Sequence, residues 1–320
     1  MTIKEIFELA IQIGIDNDPR GRAKVEKMLK KRKADYDELP EKKKKDYDTE
    51  RLKNPYSDSA IQYVSDPNTN VKKILVGIDI EPAEMILAYE LNKKNEQKID
   101  LVIAHHPMGK SLANLGDVMD MQTDILEMEG IPGNIAEKIM EERIAQVSRG
   151  VAPENHYRTV DTAKLLGIPL INIHTPGDNS VYAFLAEKIK NEKPETVGEI
   201  IDSLKKIPEY SDAANMGMGP TVFSGSERSR VGKMILGMTG GTGGSEKIYE
   251  KLGQYGIGTV VDMHMSEKHR EEAVKHYINV VIAGHIASDS LGMNIVLDEL
   301  EKRGIEIIPC SGFIRYSRVK

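Results

Sequence analysis

Apolar and polar residues follow two different patterns in this chain, and the change comes near residue 57. Residues 2–14 place apolar side chains three and four positions apart, a spacing that predicts an amphipathic helix. Residues 16–56 are dominated by Lys, Arg, Asp and Glu, which favours a solvated helical hairpin or a mobile insertion. From Val71 onward, short apolar runs alternate with stretches of helical periodicity. The pattern therefore predicts a charged N-terminal extension followed by an α/β region.

The apolar runs have the length of buried strands, which is ~4–8 residues. The predicted strands cover residues 73–79, 99–104, 169–174, 231–238, 258–263, 279–283 and 304–308. The predicted helices cover residues 82–94, 134–147, 158–166, 179–190, 196–205 and 267–277, with a further helix after Asp289. Residues 111–128 are ambiguous, and residues 209–226 predict a loop or an irregular strand. Strand followed by helix, repeated in this way, predicts right-handed parallel crossovers and a doubly wound α/β sheet.

Composition narrows the class of protein. The chain has 320 residues, of which 40% are hydrophobic and 29% charged, as in globular proteins of one large or two ordinary domains. No run reaches the ~20 apolar residues of a membrane span, and the N-terminus lacks the apolar core of a signal peptide. The single cysteine, Cys310, excludes an internal disulfide and a thiolate zinc cage, so we expect a cytoplasmic protein. A net charge of −6 argues against nucleic-acid binding, and only the basic stretch 20–33 keeps that alternative open.

Three of the predicted strands end in histidine. The run Ile99-Asp-Leu-Val-Ile-Ala-His-His-Pro107 ends in two neighbouring imidazoles, and the other two runs end in a histidine four residues before an aspartate. Ligands of open α/β sheets bind where loops leave the carboxyl ends of the strands, and imidazoles suit divalent transition metals. The candidate metal-binding residues are His105, His106, His174, Asp178, His285 and Asp289.

This set of donors is larger than one catalytic zinc requires, which is three protein ligands and a water. It fits two metals that share a carboxylate, an arrangement that clamps the attacking and leaving oxygens during hydrolysis. For a single histidine, the alternative is a capped or core side chain. Three strand ends with matching carboxylates favour the metal site.

Further candidates lie outside this set. Asp79 also ends a strand, and is either a partner or ligand of the metal site or, more simply, a helix cap or ion pair. His156 lies in a polar segment and could protonate a leaving group or bind substrate; the alternative is an exposed loop histidine. His264 and His269 are five residues apart, a spacing that does not place them on one helical face.

The segment Thr239-Gly-Gly-Thr-Gly-Gly-Ser245 follows a predicted strand and precedes a predicted helix. Such a loop offers backbone amides to an anion, which makes Gly240, Gly241, Thr242, Gly243 and Gly244 candidate binding residues. No Gly-Lys-Ser/Thr follows, so the segment is not a P-loop, and Glu246 occupies the place of the last glycine of a dinucleotide fingerprint. The alternative is a tight turn that needs glycine dihedrals.

Several of these motifs resemble the signatures of one family, the Nif-three-like dinuclear metal centre proteins. The resemblance is carried by the His-His-Pro107 run, His174-Thr-Pro-Gly-Asp178 and Gly284-His-Ile-Ala-Ser-Asp289. The stretches 58–67 and 71–79 and the glycine-rich segment are also similar to the family, in the same order. Residues 16–56 have no counterpart in it, and residues 108–157 depart from its usual pattern.

The resemblance implies two α/β lobes with mostly parallel sheets, two divalent metal ions in the cleft between them, and a toroidal homohexamer. It implies that His105, His106, Asp178 and His285 are metal ligands. Asp289 stands where the family has a glutamate that bridges the metals. His174 would be a catalytic residue that orients a ligand or faces the substrate. Zinc, iron, manganese and nickel all suit these ligand types.

We therefore expect an extension (1–56), a first α/β lobe (57–208) and a second α/β segment (209–320). The expected function is that of a metal-dependent hydrolase acting on a nucleotide-like or phosphorylated small molecule, as the name type-two GTP cyclohydrolase I homologue in this family suggests. The alternative is a non-catalytic metal-binding scaffold or regulatory interaction protein. Open coordination positions would favour the enzyme.

Overall fold

The computed structural model describes residues 1–94 and 98–319, whose strands form two sheets. The strands in chain order are β1 (Ala60–Tyr63), β2 (Lys73–Gly77), β3 (Leu101–Ala104), β4 (Leu170–Asn172), β5 (Thr221–Ser224), β6 (Lys233–Gly237), β7 (Ile257–Asp262), β8 (Asn279–Ile282) and β9 (Glu306–Cys310). The first sheet has the strand order β1-β4-β3-β2-β9, and the second has the order β5-β8-β7-β6. The chain thus forms two sheets that are largely consecutive in sequence.

The two sheets share one topology. β1 runs antiparallel to β4, β5 runs antiparallel to β8, and the other neighbouring strands are parallel. The order and direction of β1 to β4 are therefore repeated by β5 to β8. β9 then returns to the first sheet and pairs with β2. The predicted α/β class with two mostly parallel sheets is confirmed, although the two edge strands do not follow the predicted parallel crossovers.

Helices surround both sheets. In chain order they are α1 (Ile3–Asp16), α2 (Arg22–Asp37), α3 (Glu41–Lys44), α4 (Pro82–Lys94), α5 (Gly109–Ala113), α6 (Leu115–Val118), α7 (Asp120–Met128), α8 (Gly133–Val151), α9 (Arg158–Leu166), α10 (Thr175–Glu192), α11 (Val197–Lys205), α12 (Pro208–Asn215), α13 (Ile248–Gln254), α14 (Glu267–Lys275) and α15 (His285–Glu301). The stretch 111–128, ambiguous from its sequence, lies in α5, α6 and α7. No described helix is both long enough and apolar enough to cross a membrane.

Two helices begin earlier than predicted, and this difference positions the candidate metal ligands. α10 begins at Thr175 rather than Asn179, because Pro176 is tolerated in the first turn of a helix, where its missing N–H is not needed. α15 begins at His285 rather than after Asp289, directly after Gly284, whose φ of 118° ends the strand. Both candidate aspartates therefore lie near helix N-termini.

Residues 209–226, predicted to be a loop or an irregular strand, contribute all of β5, whose pairing with β8 is irregular as predicted, but also most of α12, which was not predicted. The Gly, Ser and Met content is typical of a loop, but Pro208 starts a helix and Tyr210 and Ala213 are buried on one of its faces. Burial of these two side chains accounts for the helix. α12 packs beside α15, the helix that carries Asp289.

The N-terminal region contributes a core helix and a charged layer. α1 carries a complete capping box at Thr2 and buries Ile3, Ile6 and Phe7, as its periodicity predicts. α2 buries only Val25, in agreement with its charged sequence. Salt bridges from Lys24 to Asp124 and from Arg51 to Asp117, at 2.8 and 2.6 Å, tie the layer to α7 and α6. The boundaries 1–56, 57–208 and 209–320 stay predictions.

Candidate metal centre

Two equivalent junctions between a strand and a helix carry the His-x-x-x-Asp motifs. His174 is the N-cap residue of α10 and Asp178 lies in its first turns, whereas His285 is the first residue of α15. Residues four apart on a helix are neighbours, so each histidine faces its aspartate. The distance from Nε2 to the nearest carboxylate oxygen is 3.8 Å in the first motif and 3.6 Å in the second.

The two junctions meet because α10 and α15 pack closely against each other. A Cβ atom added at Gly292 would lie 2.3 Å from the carbonyl oxygen of Gly177, far inside van der Waals contact. A Cβ atom at Gly177 would lie 3.2 Å from the His105 ring. The two glycines therefore permit a helix contact that brings Asp178 and Asp289 to the same side of His105.

The double histidine follows β3, beside β4 in the first sheet. The amides of His105 and His106 both donate to the carbonyl oxygen of Ile78, which turns the chain sharply at the end of the strand. The centroid of the His105 ring lies 4.9 Å from that of His174, and the His106 ring lies 5.2 Å from that of His285. The structure thus brings together the predicted residues His105, His106, His174, Asp178, His285 and Asp289, which we call the His/Asp group.

Buried donor atoms converge at the centre of the His/Asp group. Nε2 of His105 lies 3.3 Å from Oδ1 of Asp178 and 3.6 Å from Oδ1 of Asp289, and Nε2 of His106 lies 3.4 Å from Oδ2 of Asp289. Within the described residues, Nε2 of His105, Oδ1 of Asp178 and both carboxylate oxygens of Asp289 have no hydrogen-bond partner. Buried polar atoms are nearly always paired in proteins, so four converging unpaired ones fit a cation. The group could therefore bind metal.

The donor atoms form three overlapping sets that could each hold an ion. One contains His105, Asp178 and Asp289, a second contains His106, His285 and Asp289, and a third contains His105, His106 and His174. Asp289 belongs to the first two sets, with one oxygen facing each. An aspartate at this position therefore reaches both sets despite being one methylene shorter than the glutamate of the family.

Outer partners orient three of the imidazoles through Nδ1. Nδ1 of His105 lies 2.9 Å from the carbonyl oxygen of Ile173, Nδ1 of His106 lies 2.7 Å from Asp79, and Nδ1 of His174 lies 2.7 Å from Asp58. Because a carbonyl oxygen only accepts, His105 must carry a proton on Nδ1, which leaves the Nε2 lone pair of the neutral ring facing the carboxylates. This arrangement is typical of metal-ligating histidines. Asp58 was missed in the sequence because it precedes an unpredicted edge strand.

The electrostatics of the group also match a cation site. Burial disfavours the charged form of both neighbouring histidines, but the carboxylates outweigh it and raise the pKa of His105 well above its usual value and that of His106 to about 9. Burial favours a neutral Asp289, but the surrounding histidines hold its pKa far below its usual range. For His285, burial prevails and lowers the pKa. The carboxylate charge of Asp289 thus attracts positive charge to the buried centre.

Two other predicted residues lie in different surroundings. His156 is outside the His/Asp group, and its Nε2 bonds to the carbonyl oxygen of Val151 at 2.8 Å. Its catalytic role stays a prediction, without support from its position. His264, in contrast, lies beside the group, with its ring centroid 4.6 Å from that of His285.

The glycine-rich segment 239–245 lines the same cavity as His174, Asp178, His285 and Asp289. Gln122 donates to the carbonyl oxygens of Gly240 and Thr242 at 2.6 and 2.7 Å, and Arg143 donates to that of Gly243 at 2.9 Å. α13 begins only at Ile248, so the expectation that this segment opens directly into a helix is wrong. Residues 246 and 247 separate the segment from the helix. Anion binding by residues 240–244 stays a prediction.

Comparisons with known structures agree with this fold. A NIF3 superfamily protein from Sphaerobacter thermophilus matches with a TM-score of 0.70 and 29% sequence identity, over 80% of this chain and 91% of that one. Reduced HcgD from Methanocaldococcus jannaschii matches with a TM-score of 0.50 and 17% identity, over 78% of this chain and 88% of that one, and so supports the fold alone. No protein-family model and no curated protein matched the sequence. Structural similarity to the Sphaerobacter protein over most of both chains, together with the His/Asp group, supports the Nif-three-like family that the motifs of this chain resemble.

Proposed function

We propose that this protein is a dinuclear metal-dependent hydrolase that acts on a nucleotide-like or phosphorylated small molecule. One ion would be held by His105, Asp178 and Asp289, and the other by His106, His285 and Asp289, so that Asp289 bridges them. The observation that carries the proposal is the convergence of unpaired buried donor atoms, in which both oxygens of Asp289 take part.

The type and number of donors agree with this proposal. Nitrogen and carboxylate donors without thiolates suit zinc, iron, manganese or nickel. Each ion would receive three protein donors, which leaves coordination positions for substrate and water, as in catalytic rather than structural sites. This count favours the enzyme over the alternative of a non-catalytic scaffold.

Two metal ions, when bound by these residues, would supply Lewis acidity and an activated water for hydrolysis. The contacts of His174 support a role in proton transfer during hydrolysis. Its Nδ1 is hydrogen-bonded to Asp58, and its Nε2 lies near Asp178 at the cavity. A carboxylate behind an imidazole fixes its orientation and stabilises its protonated form. We therefore assign His174 the role of moving a proton to or from the substrate.

The glycine-rich segment would hold the anionic end of the substrate. The carbonyl oxygens of Gly240, Thr242, Gly243 and Gly244 are occupied by the side chains of Gln122, Arg143 and His269. The amide of Thr242 also donates within the segment, to the carbonyl oxygen of Gly240 at 3.1 Å, so the other backbone amides are the groups through which the segment would bind a ligand. Backbone N–H groups in such loops bind phosphate.

The test is metal analysis followed by an activity screen. We expect about two equivalents of metal per chain, as a two-metal site requires, and hydrolysis of nucleotides, GTP among them, or phosphoesters that stops on chelation. For variants of the proposed metal ligands, such as Asp289→Ala, the matched control is Asp202→Ala, in an exposed position on α11. Absence of metal after anaerobic reconstitution would refute the dinuclear centre. Two equivalents without turnover of any nucleotide or phosphoester would favour the scaffold.

The assembly and location of the protein stay predictions. The homohexamer rests on the family resemblance, and light scattering coupled to gel filtration would measure it. The cytoplasmic location rests on the single cysteine.

A further inference from the structure

A cavity of about 260 Å3 adjoins the His/Asp group. Part of its lining is polar and comes from the His/Asp group and the glycine-rich segment. Much of the remainder is apolar and includes Ile125, Leu126, Ile235, Ile248 and Leu252. This volume is slightly below that of typical small-molecule pockets, which is ~300–1,000 Å3, and suits one ring system.

The lining also contains a carboxyl group that the proposed mechanism does not use. Asp262 ends β7 and accepts a hydrogen bond from the amide of His264 at 3.4 Å. No side chain among the described residues donates to this carboxyl or forms an ion pair with it. Burial raises the pKa of Asp262 to about 7, against the backbone amides of His264 and Met263, which lower it. The Asp262 carboxyl therefore has acceptor positions without a side-chain donor, and a ligand with N–H groups could fill them.

The neighbouring strand makes room for this carboxyl group. Gly237 in β6 pairs with Asp262 in the sheet register. A Cβ atom at Gly237 would lie 2.7 Å from Oδ2 of Asp262, so a larger residue would displace the carboxyl group. The glycine therefore keeps the carboxyl at the cavity.

Another part of the lining comes from the helices α7 and α8. Gln122 of α7 and Met140 and Arg143 of α8 line the cavity, and the two polar side chains also fasten the glycine-rich segment. Residues 108–157 of this chain therefore contribute both to the lining of the cavity and to the position of its glycine-rich segment.

We propose that the cavity binds a planar nitrogen heterocycle with an amino group next to a ring N–H, and that Asp262 accepts hydrogen bonds from both. A carboxylate accepts two parallel N–H donors in a fork, as it does from arginine. The flat faces of the ring would contact the apolar walls. An aliphatic ammonium would lose a strong hydration shell and offer no such faces.

This inference deepens the proposed function and rests on it only for the direction of the ligand, whose anionic end would point to the metal centre. The recognition of the ring involves none of the proposed metal ligands. Binding of the ring alone can therefore be measured in protein stripped of metal.

The experiment is calorimetric titration of 2-aminobenzimidazole into the chelator-treated full chain. We expect binding that weakens roughly tenfold or more in Asp262→Asn, the loss typical of a charge-assisted hydrogen bond. 1-Methylbenzimidazole keeps the ring without N–H donors, and benzylamine keeps an amine without the heterocycle. Both should bind the wild type at least about tenfold more weakly. Asp262→Ser, whose smaller side chain fits the same space, should repeat the loss, and exposed Asp202→Asn should not.

Equal binding of 2-aminobenzimidazole by the wild type and both Asp262 variants would overturn the inference. So would equal or tighter binding of 1-methylbenzimidazole or benzylamine, or no binding of 2-aminobenzimidazole at all. The metal content of Asp262→Asn should equal that of the wild type. Loss of metal and loss of probe binding are thus separate results, and either proposal can fail alone.

Discussion

The two halves of the molecule share a topology but contribute differently to the His/Asp group. The first half, β1 to β4 with α10, supplies His105, His106, His174 and Asp178, and outer partners hold three of these imidazoles. The second half, β5 to β8 with α15, supplies His285 and Asp289. The side chain of His285 is 40% exposed, whereas that of His105 is 0% exposed.

This difference shows how one fold can give an anchored and a more exposed side to the same site. The strand ends of the first half place histidines against Asp58 and Asp79, which fix ring orientation before any ion binds. In the second half, His285 contacts the rings of His106 and His264 and its own Asp289. We infer that the ion beside His285 is the more weakly bound of the two.

The largest expected effect comes from Asp289, which joins the two halves. Asp289→Ala should reduce the metal content from about two equivalents to near zero, because both proposed ion sites lose a carboxylate. Elemental analysis beside Asp202→Ala measures it. Retention of one full equivalent would show that the halves bind metal independently.

The comparison is tested directly by removing one histidine from each half. His285→Ala should leave about one equivalent of metal in the first-half site, whereas His105→Ala should lose more, because His105 faces both Asp178 and Asp289. Stepwise chelation monitored by elemental analysis distinguishes the two. Equal losses in both variants would contradict the assignment of an anchored and a more exposed side.

A smaller effect should follow when an outer partner is altered. Asp58→Asn removes the carboxylate that accepts from His174 and Thr175, and should lower activity or metal affinity by ~10–100-fold, as such partners commonly do. A metal titration with Asp202→Asn as control provides the measurement. If affinity and turnover both stay at wild-type levels, orientation of His174 is not needed.

The smallest effect on metal binding is expected at Asp262, which occupies the position of Ala104 in the repeated topology. Its pKa is raised from 3.8 to about 7 in the folded protein, so the folded state binds the proton more tightly than the unfolded state. The contribution of the Asp262 carboxyl to the free energy of unfolding is therefore fully present below pH 3.8. It is lost as the pH rises towards 7, by roughly 1.4 kcal/mol per pKa unit.

Asp262→Asn should remove this loss without changing the metal content. Urea unfolding of chelator-treated protein between pH 4 and pH 7 would show it as a flatter pH profile in the variant. Identical profiles in the two proteins would mean that the carboxyl is solvated in the folded state.

The sequence was informative wherever a function depended on local spacing. The His-x-x-x-Asp motifs and the double histidine are each contained in a few residues at the ends of apolar runs, so the runs alone predicted where they lie. The predicted catalytic role of His156, which lacks structural support, came from a polar segment without such a run. Its imidazole is held by the nearby Val151 carbonyl.

The tertiary structure decided what depends on contacts between distant residues. Asp58 is 116 residues from His174, and Gly237 is 25 residues from the Asp262 carboxyl that it accommodates. Pairing of β1 with β4 creates the first contact and pairing of β6 with β7 the second, and neither leaves a pattern in the local sequence.

The sequence by itself thus determined the α/β class, the strand ends and the identity of the donors, because these follow from periodicity and side-chain chemistry. The close packing of α10 on α15, the sharing of Asp289 between two sets of donors and the cavity containing Asp262 were decided only by the fold. They require two halves of the chain to meet at Gly177 and Gly292, and the strand order and helix packing that achieve this involve residues far apart in sequence.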